Sequence, residues 1–576
     1  MENATTPHSE HIRSNLCFGF CITPAFGIEI ISYAVHSMNI CHPANHIYKW
    51  ATPMLRYHLF LWAVLICSPV PADQRPNIIV IMVDDMGWSD LGCYGGEIDT
   101  PNIDSLATDG LRFTQFYNNS VCGATRASLL TGLYCQQTGH RGDRWNEPKD
   151  FQKCVLISEL LQTNGYHTAM VGKWQGRDLA VQRGFDRFFG PNCQGKISYW
   201  NAVKANDFYL DDQPWKFPEN DFFMTDVFND YAVDFLADAV KGDNPFFLYV
   251  AYIAPHWPLH ARDRDIATYR ERYRTKGWDE CRQTRIAKQH ELGLLRRGYE
   301  PASPATSIHK WTDDPHKEWQ AERMAAYAAQ ISNVDRGVGR LLDVLRNSDD
   351  GSNTLVLFLS DNGAAPDGGL RLTTSGFGFG PKSNDGNWRA DGAAIKPGSG
   401  PDLLPGPHDT FAAYGLAWAT TSNTPLRDTK QSAYEGGIRT PLIARWPAVI
   451  KKGGVLTPQP GHVIDIMATT LDVAGVEYPT IFQDRRPIPM EGKTLVPVFE
   501  GQERDGHDVL AWKCSRGRAV RSGPWKLVRP RDDRDWELYN VIDDPGETND
   551  LAEQHPDHVE RMTEQYSAWR IHVGAQ

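Results

Sequence analysis

Several things are scarce in this 576-residue chain, and each shortage narrows what it can be. Cysteine is sparse: there are 11, and beyond residue 72 only Cys93, Cys122, Cys135, Cys154, Cys193, Cys281 and Cys514 remain. Their spacing matches no zinc pattern, and disulfides are permitted but not demanded. Positive charge is in deficit, with 59 Lys and Arg against 71 Asp and Glu and a net charge of −12. That argues against nonspecific nucleic-acid binding. It leaves an anionic substrate open, because a local positive site can overcome a negative surround. A membrane-spanning apolar run is missing too; the apolar stretch 59–67 is too short to cross a bilayer. No internal repeat is present.

What that stretch does resemble is an export signal. Arg56 supplies a basic start, residues 59–67 an apolar centre, and Ser68-Pro69-Val70-Pro71-Ala72 a small-residue cleavage zone. The reading is a start at Met54 and cleavage near Ala72, with residues 1–53 a dispensable extension, 54–72 a signal peptide and the mature protein periplasmic or extracellular. No stable membrane insertion is expected. The remaining length exceeds what one core usually holds. A catalytic domain over 73–507 and a smaller domain over 508–576 are therefore predicted.

Residues 77–83 (NIIVIMV) and 354–360 (TLVLFLS) are continuous β-branched and apolar runs, the pattern of strands buried on both faces. The first ends in Asp84-Asp85 and the second in Asp361-Asn362. Ligands of open α/β sheets sit beyond the carboxyl ends of strands. These two tips can therefore meet, and four oxygen donors of this type suit a hard cation, Ca²⁺ first and Mg²⁺ second. Two further strands are predicted at 166–171, running into Gly172-Lys173-Trp174-Gln175, and at 245–252, running into Pro255-His256-Trp257-Pro258. His260 beyond it is a candidate substrate contact. Residues 262–320 are charged and read as a solvated helical excursion, and 325–346 as an amphipathic helix. Residues 364–424 are rich in Gly, Pro, Ser and Asp and read as a long loop. Part of it is expected to wall the site, with Trp388, Arg389, His408, Tyr414 and Trp418 available to touch a substrate. From 508 onward, short alternating runs predict an antiparallel sheet followed by a helix over 558–569.

In residues 117–139, YNNSVCGATRASLLTGLYCQQTG, Cys122 lies in a polar loop just before a predicted helix start, where free N–H groups favour an anion. Cys122, Ala124, Arg126, Leu129-Leu130-Thr131-Gly132 and Gly139 resemble the sulfatase signature C-x-P/A-x-R followed by L-L-T-G. The likeness runs from about Pro76 to about Trp569. It implies an alkaline-phosphatase-like α/β fold, with a mostly parallel central sheet flanked by helices and a small C-terminal α+β domain. It also implies that a formylglycine-generating maturation enzyme oxidises Cys122 and that the resulting aldehyde hydrate is the nucleophile. Asp84, Asp85, Asp361 and Asn362 would bind Ca²⁺, which also touches residue 122. Lys173 and Lys430 would bind sulfate, and His256 would protonate the leaving oxygen. Two positions depart from the family: Ala124 stands where most members have proline, and Gln175 where the G-K-W-H segment has histidine. Gln hydrogen-bonds but holds no proton or charge.

Three carboxylates, Ca²⁺, Arg126, Lys173 and Lys430 sum to +2, so an anion is attracted locally. The resulting expectation is a calcium-dependent arylsulfatase-like hydrolase acting on an aryl sulfate or a sulfated carbohydrate. The alternatives are a phosphonate or phosphate monoester hydrolase and a catalytically silent protein that binds sulfated glycans.

Overall fold

The computed structural model describes residues 75–139, 151, 154–192, 199–200, 208–218, 222–299, 301, 307–366, 400–410 and 412–575. The predicted signal and the extension before it, Cys193, Trp388 and Arg389 lie outside these residues.

In chain order the elements are β1 (Asn77–Val83), α1 (Pro101–Asp109), β2 (Leu111–Tyr117), α2 (Cys122–Thr131), α3 (Ile157–Thr163), β3 (His167–Gly172), β4 (Arg187–Pro191), β5 (Phe208–Leu210), β6 (Gln213–Pro214), α4 (Met224–Ala239), β7 (Phe246–Ala251), α5 (Asp263–Glu291), α6 (Lys317–Arg346) and β8 (Thr354–Ser360). There follow α7 (Gly415–Ser422), α8 (Glu435–Ile438), β9 (Arg439–Arg445), β10 (Val455–Thr457), β11 (Gly461–His462), α9 (Asp465–Ala474), β12 (Leu510–Lys513), β13 (Arg518–Ser522), β14 (Trp525–Arg529), β15 (Glu537–Asn540) and α10 (Pro556–His572).

The large sheet has the order β10-β2-β9-β8-β1-β7-β3-β4-β5-β6, with β11 beside β2. Its centre, from β8 through β4, is parallel. Strand β9 runs antiparallel to both its neighbours. Both faces are covered, which is why β1 is apolar at nearly every position. Ile79, Ile81 and Val83 point into one core with α4, α5 and α6. Ile78, Val80 and Met82 point into the other, with α2, α3 and α9. Register decides which strand tips meet: Val83 lies opposite Ser360, Met82 opposite Ala251, and Gly172 opposite Ala251. Asp84, Asp361, Lys173 and Tyr252 therefore emerge at one level along the carboxyl edge.

The C-terminal sheet, β12-β13-β14-β15, is antiparallel. Val520, Leu527 and Leu538 on one face pack under Met562, Tyr566 and Trp569 of α10. Trp512, Ala519 and Val528 on the other pack against Tyr117, Tyr434 and Ile438. The Trp512 indole donates to Asn118 O at 2.9 Å, so this small sheet is built onto the end of β2 in the large sheet.

Several readings of the sequence change. The charged 262–320 stretch is helical as predicted, but one face of the helix is buried. It carries the 29-residue α5, kinked at Gly277 (φ 61°). Arg285, on that helix, is wholly buried and bonded to Asp90 at 2.8 Å and Glu97 at 2.7 Å. Charge there marks a buried network, which composition does not distinguish from a solvent-facing surface. Helix α6 begins at Lys317, ahead of the predicted 325. Part of the 364–424 loop is helix α7. Trp418 is buried among Tyr273, Trp278 and Trp311, and Tyr414 stacks on Tyr327 at 4.2 Å. Both are core residues, not substrate contacts; His408 is exposed. Among the described residues Cys93, Cys122, Cys135, Cys154, Cys281 and Cys514 form no disulfide.

Candidate active site

Cys122 is the first residue of α2 rather than a residue of the loop before it, and it is 7% exposed. Starting the helix there points its first-turn N–H groups at the same space as the strand tips. A sulfur or oxygen each from Asp84, Cys122 and Asp361 lies within 4.8 Å of the others, and the same holds for ligand atoms of Asp84, Asp85 and His256. All of these residues are buried.

A ring of cations faces the carboxylates. Arg126, one turn along α2 from Cys122, donates to Asp361 through Nε at 3.1 Å and Nη2 at 2.9 Å, and lies 3.6 Å from Asp84. Lys173 Nζ sits 2.5 Å from Asp84 Oδ2, and Lys430 Nζ is bonded to Asp85 Oδ1. Burial pushes the Asp84 carboxyl up, but Lys173, His256, Arg126 and Lys430 outweigh it and hold the group below the usual carboxylate range. Asp361 goes the other way: burial and the neighbouring Asp84 charge push it up to about 7. Burial opposes charge on Lys173 and Lys430, yet Asp84 and Asp85 keep both ammonium groups above their ordinary values.

His256 Nδ1 lies 2.6 Å from Trp257 O, so Nδ1 carries the hydrogen and Nε2 is left facing Asp85 Oδ2 at 3.4 Å. Burial lowers its pKa, against the pull of Asp85 and Asp84. Gln175 places its amide nitrogen 3.8 Å from Cys122 Sγ. His260 does not reach the site as a substrate contact. It is fully buried, its Nδ1 accepts from Tyr199 N at 3.3 Å, and its Nε2 donates to Thr410 O at 2.7 Å.

The donor set suits a hard cation. Asp84 Oδ1, Asp85 Oδ2 and Asn362 Oδ1 are buried, with no hydrogen-bond partner among the described residues. A buried acceptor left unmatched costs about 1–3 kcal/mol. Three such oxygens on adjoining strand tips are what a metal ion would satisfy. Asp85 also holds a left-handed backbone (φ 68°), its N–H on Asp361 Oδ1 at 3.2 Å, which turns its carboxylate back toward the others.

The Lys430 loop is held in place by neighbours on three sides. Asn423 accepts from Ala364 N at 3.1 Å and donates to Gly436 O at 2.8 Å. Gly363 packs so closely on Gly436 that a Cβ would lie 1.7 Å from its carbonyl oxygen. From the C-terminal sheet, Arg516 donates to Lys430 O at 2.8 Å, and its own N–H donates to Gln431 O at 2.8 Å. Arg516 lies in a turn far from any motif, so no local signal marks it.

A family model described as Sulfatase matches residues 76–476. The chain belongs to the sulfatase family. It is a sulfuric ester hydrolase with the mixed α/β fold of that family and a C-terminal antiparallel sheet. A second model, the C-terminal domain of N-sulphoglucosamine sulphohydrolase, matches residues 428–570. An uncharacterized sulfatase of Schizosaccharomyces pombe is 30% identical over 539 residues, spanning 87% of this chain and 94% of its own. An arylsulfatase of Klebsiella aerogenes is 29% identical over 465 residues (75% and 93%), and the human N-acetylgalactosamine-6-sulfatase 27% over 477 residues (75% and 72%). The crystal structure of Ps i-CgsB superposes with a TM-score of 0.61 at 25% identity, covering 86% of this chain and 93% of that one. A protein crystallised with its substrate D-glucosamine-2-N,6-O-disulfate shares the fold at a TM-score of 0.56 and 21% identity, covering 87% and 98%.

Proposed function

We propose that this sulfatase is an exported, calcium-dependent enzyme that cleaves sulfate monoesters of carbohydrates through a formylglycine derived from Cys122. The observation that carries the reading is the meeting of Cys122 with Asp84 and Asp361 inside a ring of Arg126, Lys173, Lys430 and His256. N-acetylgalactosamine-6-sulfatases among the relatives support a carbohydrate ester as the substrate, beside the aryl ester that the Klebsiella aerogenes relative suggests. Because Cys122 is buried, the maturation enzyme that oxidises it would act before the chain folds.

Asp84, Asp85, Asp361 and Asn362 would hold Ca²⁺, whose chemistry is to neutralise the ester's anionic oxygens. Formal charges of −3 on the carboxylates and +3 on Arg126, Lys173 and Lys430 cancel, so a divalent ion leaves the site positive and ready for an anion. Lys173 and Lys430 orient the sulfate oxygens. An aldehyde hydrate at residue 122 would supply the oxygen that displaces the sugar oxygen from sulfur, and Asp361 beside it would take the proton that this oxygen gives up. The departing oxygen would take a proton from Nε2 of His256 in its doubly protonated form, which Asp85 and Asp84 favour against the opposing effect of burial. His256, neutral after that transfer, would take up the proton given off when sulfate leaves residue 122 and so return to its charged form.

Mass spectrometry of the peptide containing residue 122, from protein co-produced with a maturation enzyme, should show an aldehyde. The same protein should release sulfate from N-acetylgalactosamine 6-sulfate. A plain thiol together with full turnover would overturn the mechanism.

A further inference from the structure

The loop that carries Lys430 has a second side. While Lys430 Nζ reaches Asp85, the residues before it, Arg427 and Asp428, line a cavity of about 580 Å³. That size falls within the roughly 300–1,000 Å³ of small-molecule sites. Consecutive Cα atoms are about 3.8 Å apart, so Asp428 and Lys430 lie no more than about 7.6 Å apart along the wall. Both the catalytic lysine and this cavity thus hang on one short segment.

The lining is amphipathic and carries three arginines against two carboxylates, Asp428 and Glu547, in a protein whose net charge is −12. Arg282, Arg427 and Arg516 contribute guanidinium groups, and Leu416 and the Tyr434 ring contribute apolar surface. Arg427 lies 3.9 Å over the Tyr434 ring and, among the described residues, donates through Nη1 alone, to Tyr539 Oη at 2.9 Å, Glu547 O at 3.0 Å and Glu537 Oε2 at 3.5 Å. Among the described residues, Arg516 donates through Nη2 alone of its guanidinium nitrogens, to Lys430 O at 2.8 Å, Thr429 Oγ1 at 3.3 Å, Thr429 O at 3.4 Å and Asp428 Oδ1 at 3.3 Å. Each fork is fixed by one arm and keeps its other N–H groups. Their side chains are 41% and 45% exposed, so a ligand can reach them. Pre-fixed forks of this kind match a carboxylate or a sulfate, and an aromatic ring suits the apolar face of a sugar.

We propose that this cavity is a second recognition site, which takes an anionic sugar unit, carboxylated or sulfated, of the same glycan whose ester is cleaved at residue 122. The assignment rests on the carbohydrate reading above and narrows it to charged oligosaccharides. Leu416 lines the cavity and is 41% exposed, so it can be changed without disturbing the core. Leu416→Glu should raise the KM for a chondroitin 6-sulfate tetrasaccharide roughly two- to fivefold, and Leu416→Arg should lower it by a similar factor, the size of one exposed ion-pair interaction. Both shifts should shrink with added salt. The KM for p-nitrophenyl sulfate, which has no second anionic unit to place in the cavity, should stay put. Equal KM values for the tetrasaccharide in all three proteins, or equal shifts on the two substrates, would overturn the assignment. If no sulfate is released from either ester, the catalytic reading fails on its own. Calorimetric binding of the tetrasaccharide then decides the cavity. Affinity highest for Leu416→Arg, intermediate for the parent and lowest for Leu416→Glu supports it, and identical affinities overturn it.

Discussion

Lys526 on β14 joins the C-terminal sheet to the catalytic loop through an ion network with no exposure at all. Its ammonium lies 2.8 Å from Glu435 and 2.9 Å from Glu547, and all three side chains are 0% exposed. Glu547 Oε2 in turn accepts the backbone N–H of Glu435 at 2.6 Å, where the chain leaves the Lys430 loop for α8. Replacing Lys526 with Met keeps the volume and removes the charge, leaving two carboxylates buried with one partner fewer. Breaking such a pair costs about 3–5 kcal/mol. At about 2.1 cal/mol/K per residue, a folded unit of about 500 residues has an unfolding entropy near 1 kcal/mol/K, so the melting midpoint should fall by about 3–5 °C. The loss should also depend on pH. Burial pushes Glu547 up to about 7 in the folded protein, against the lowering pull of Lys526. A carboxyl raised above its unfolded value favours folding at low pH and opposes it as pH climbs through the folded value. Without Lys526 the value climbs further, and each added unit is worth about 1.4 kcal/mol. The deficit of Lys526→Met should therefore be largest at pH 8 and smaller by about 1 kcal/mol or more at pH 5. Thermal scans of both proteins at the two pH values, at one heating rate, make the comparison. A midpoint shift under about 1 °C, or one identical at pH 5 and pH 8, would refute the account of this network.

Removing the cation with a chelator should lower the midpoint and Ca²⁺ should restore it, by about 2.7 kcal/mol at a hundredfold excess over Kd; Asn362→Ala should shift the titration to higher Ca²⁺, and an unshifted curve would count against Asn362 as a ligand. His256→Ala should slow sugar sulfates by about 10²–10⁴-fold and p-nitrophenyl sulfate far less, because only a poor leaving group needs the proton; equal losses in steady-state assays on both would exclude an acid role. Burial lowers His260 to about 4 and His462 to about 3, so the unfolded chain binds their protons first and stability present above pH 6.5 is lost as pH falls toward 4. The His260 share is roughly 3 kcal/mol by pH 4; His260→Gln, which can keep both hydrogen bonds, should flatten the fall of the urea midpoint between pH 7 and pH 4.5. Gln175→His puts a titratable ring near residue 122 and should add an ionisation near about pH 6–7 to the kcat/KM profile; a profile of unchanged shape would show that position 175 does not report on the reacting group.

The sequence by itself determined the strands and their acidic tips, because a strand covered on both faces must be apolar at nearly every position and its polar end then stands out. Residues 77–83 with Asp84-Asp85, and 354–360 with Asp361-Asn362, were legible for that reason, as was the run around Cys122, whose residues are local and contiguous. The antiparallel C-terminal sheet was legible from its period of two. Only the tertiary structure decided which tips share a level, since that depends on register between strands hundreds of residues apart. It alone showed Arg285 buried between Asp90 and Glu97, where the charged composition of α5 pointed to solvent. It moved Tyr414, Trp418 and His260 from the substrate into the core. It also brought Arg516 onto the Lys430 loop. Local pattern records what each segment must bury; which distant partner satisfies a charge or a carbonyl is set by packing, and no window along the chain contains it.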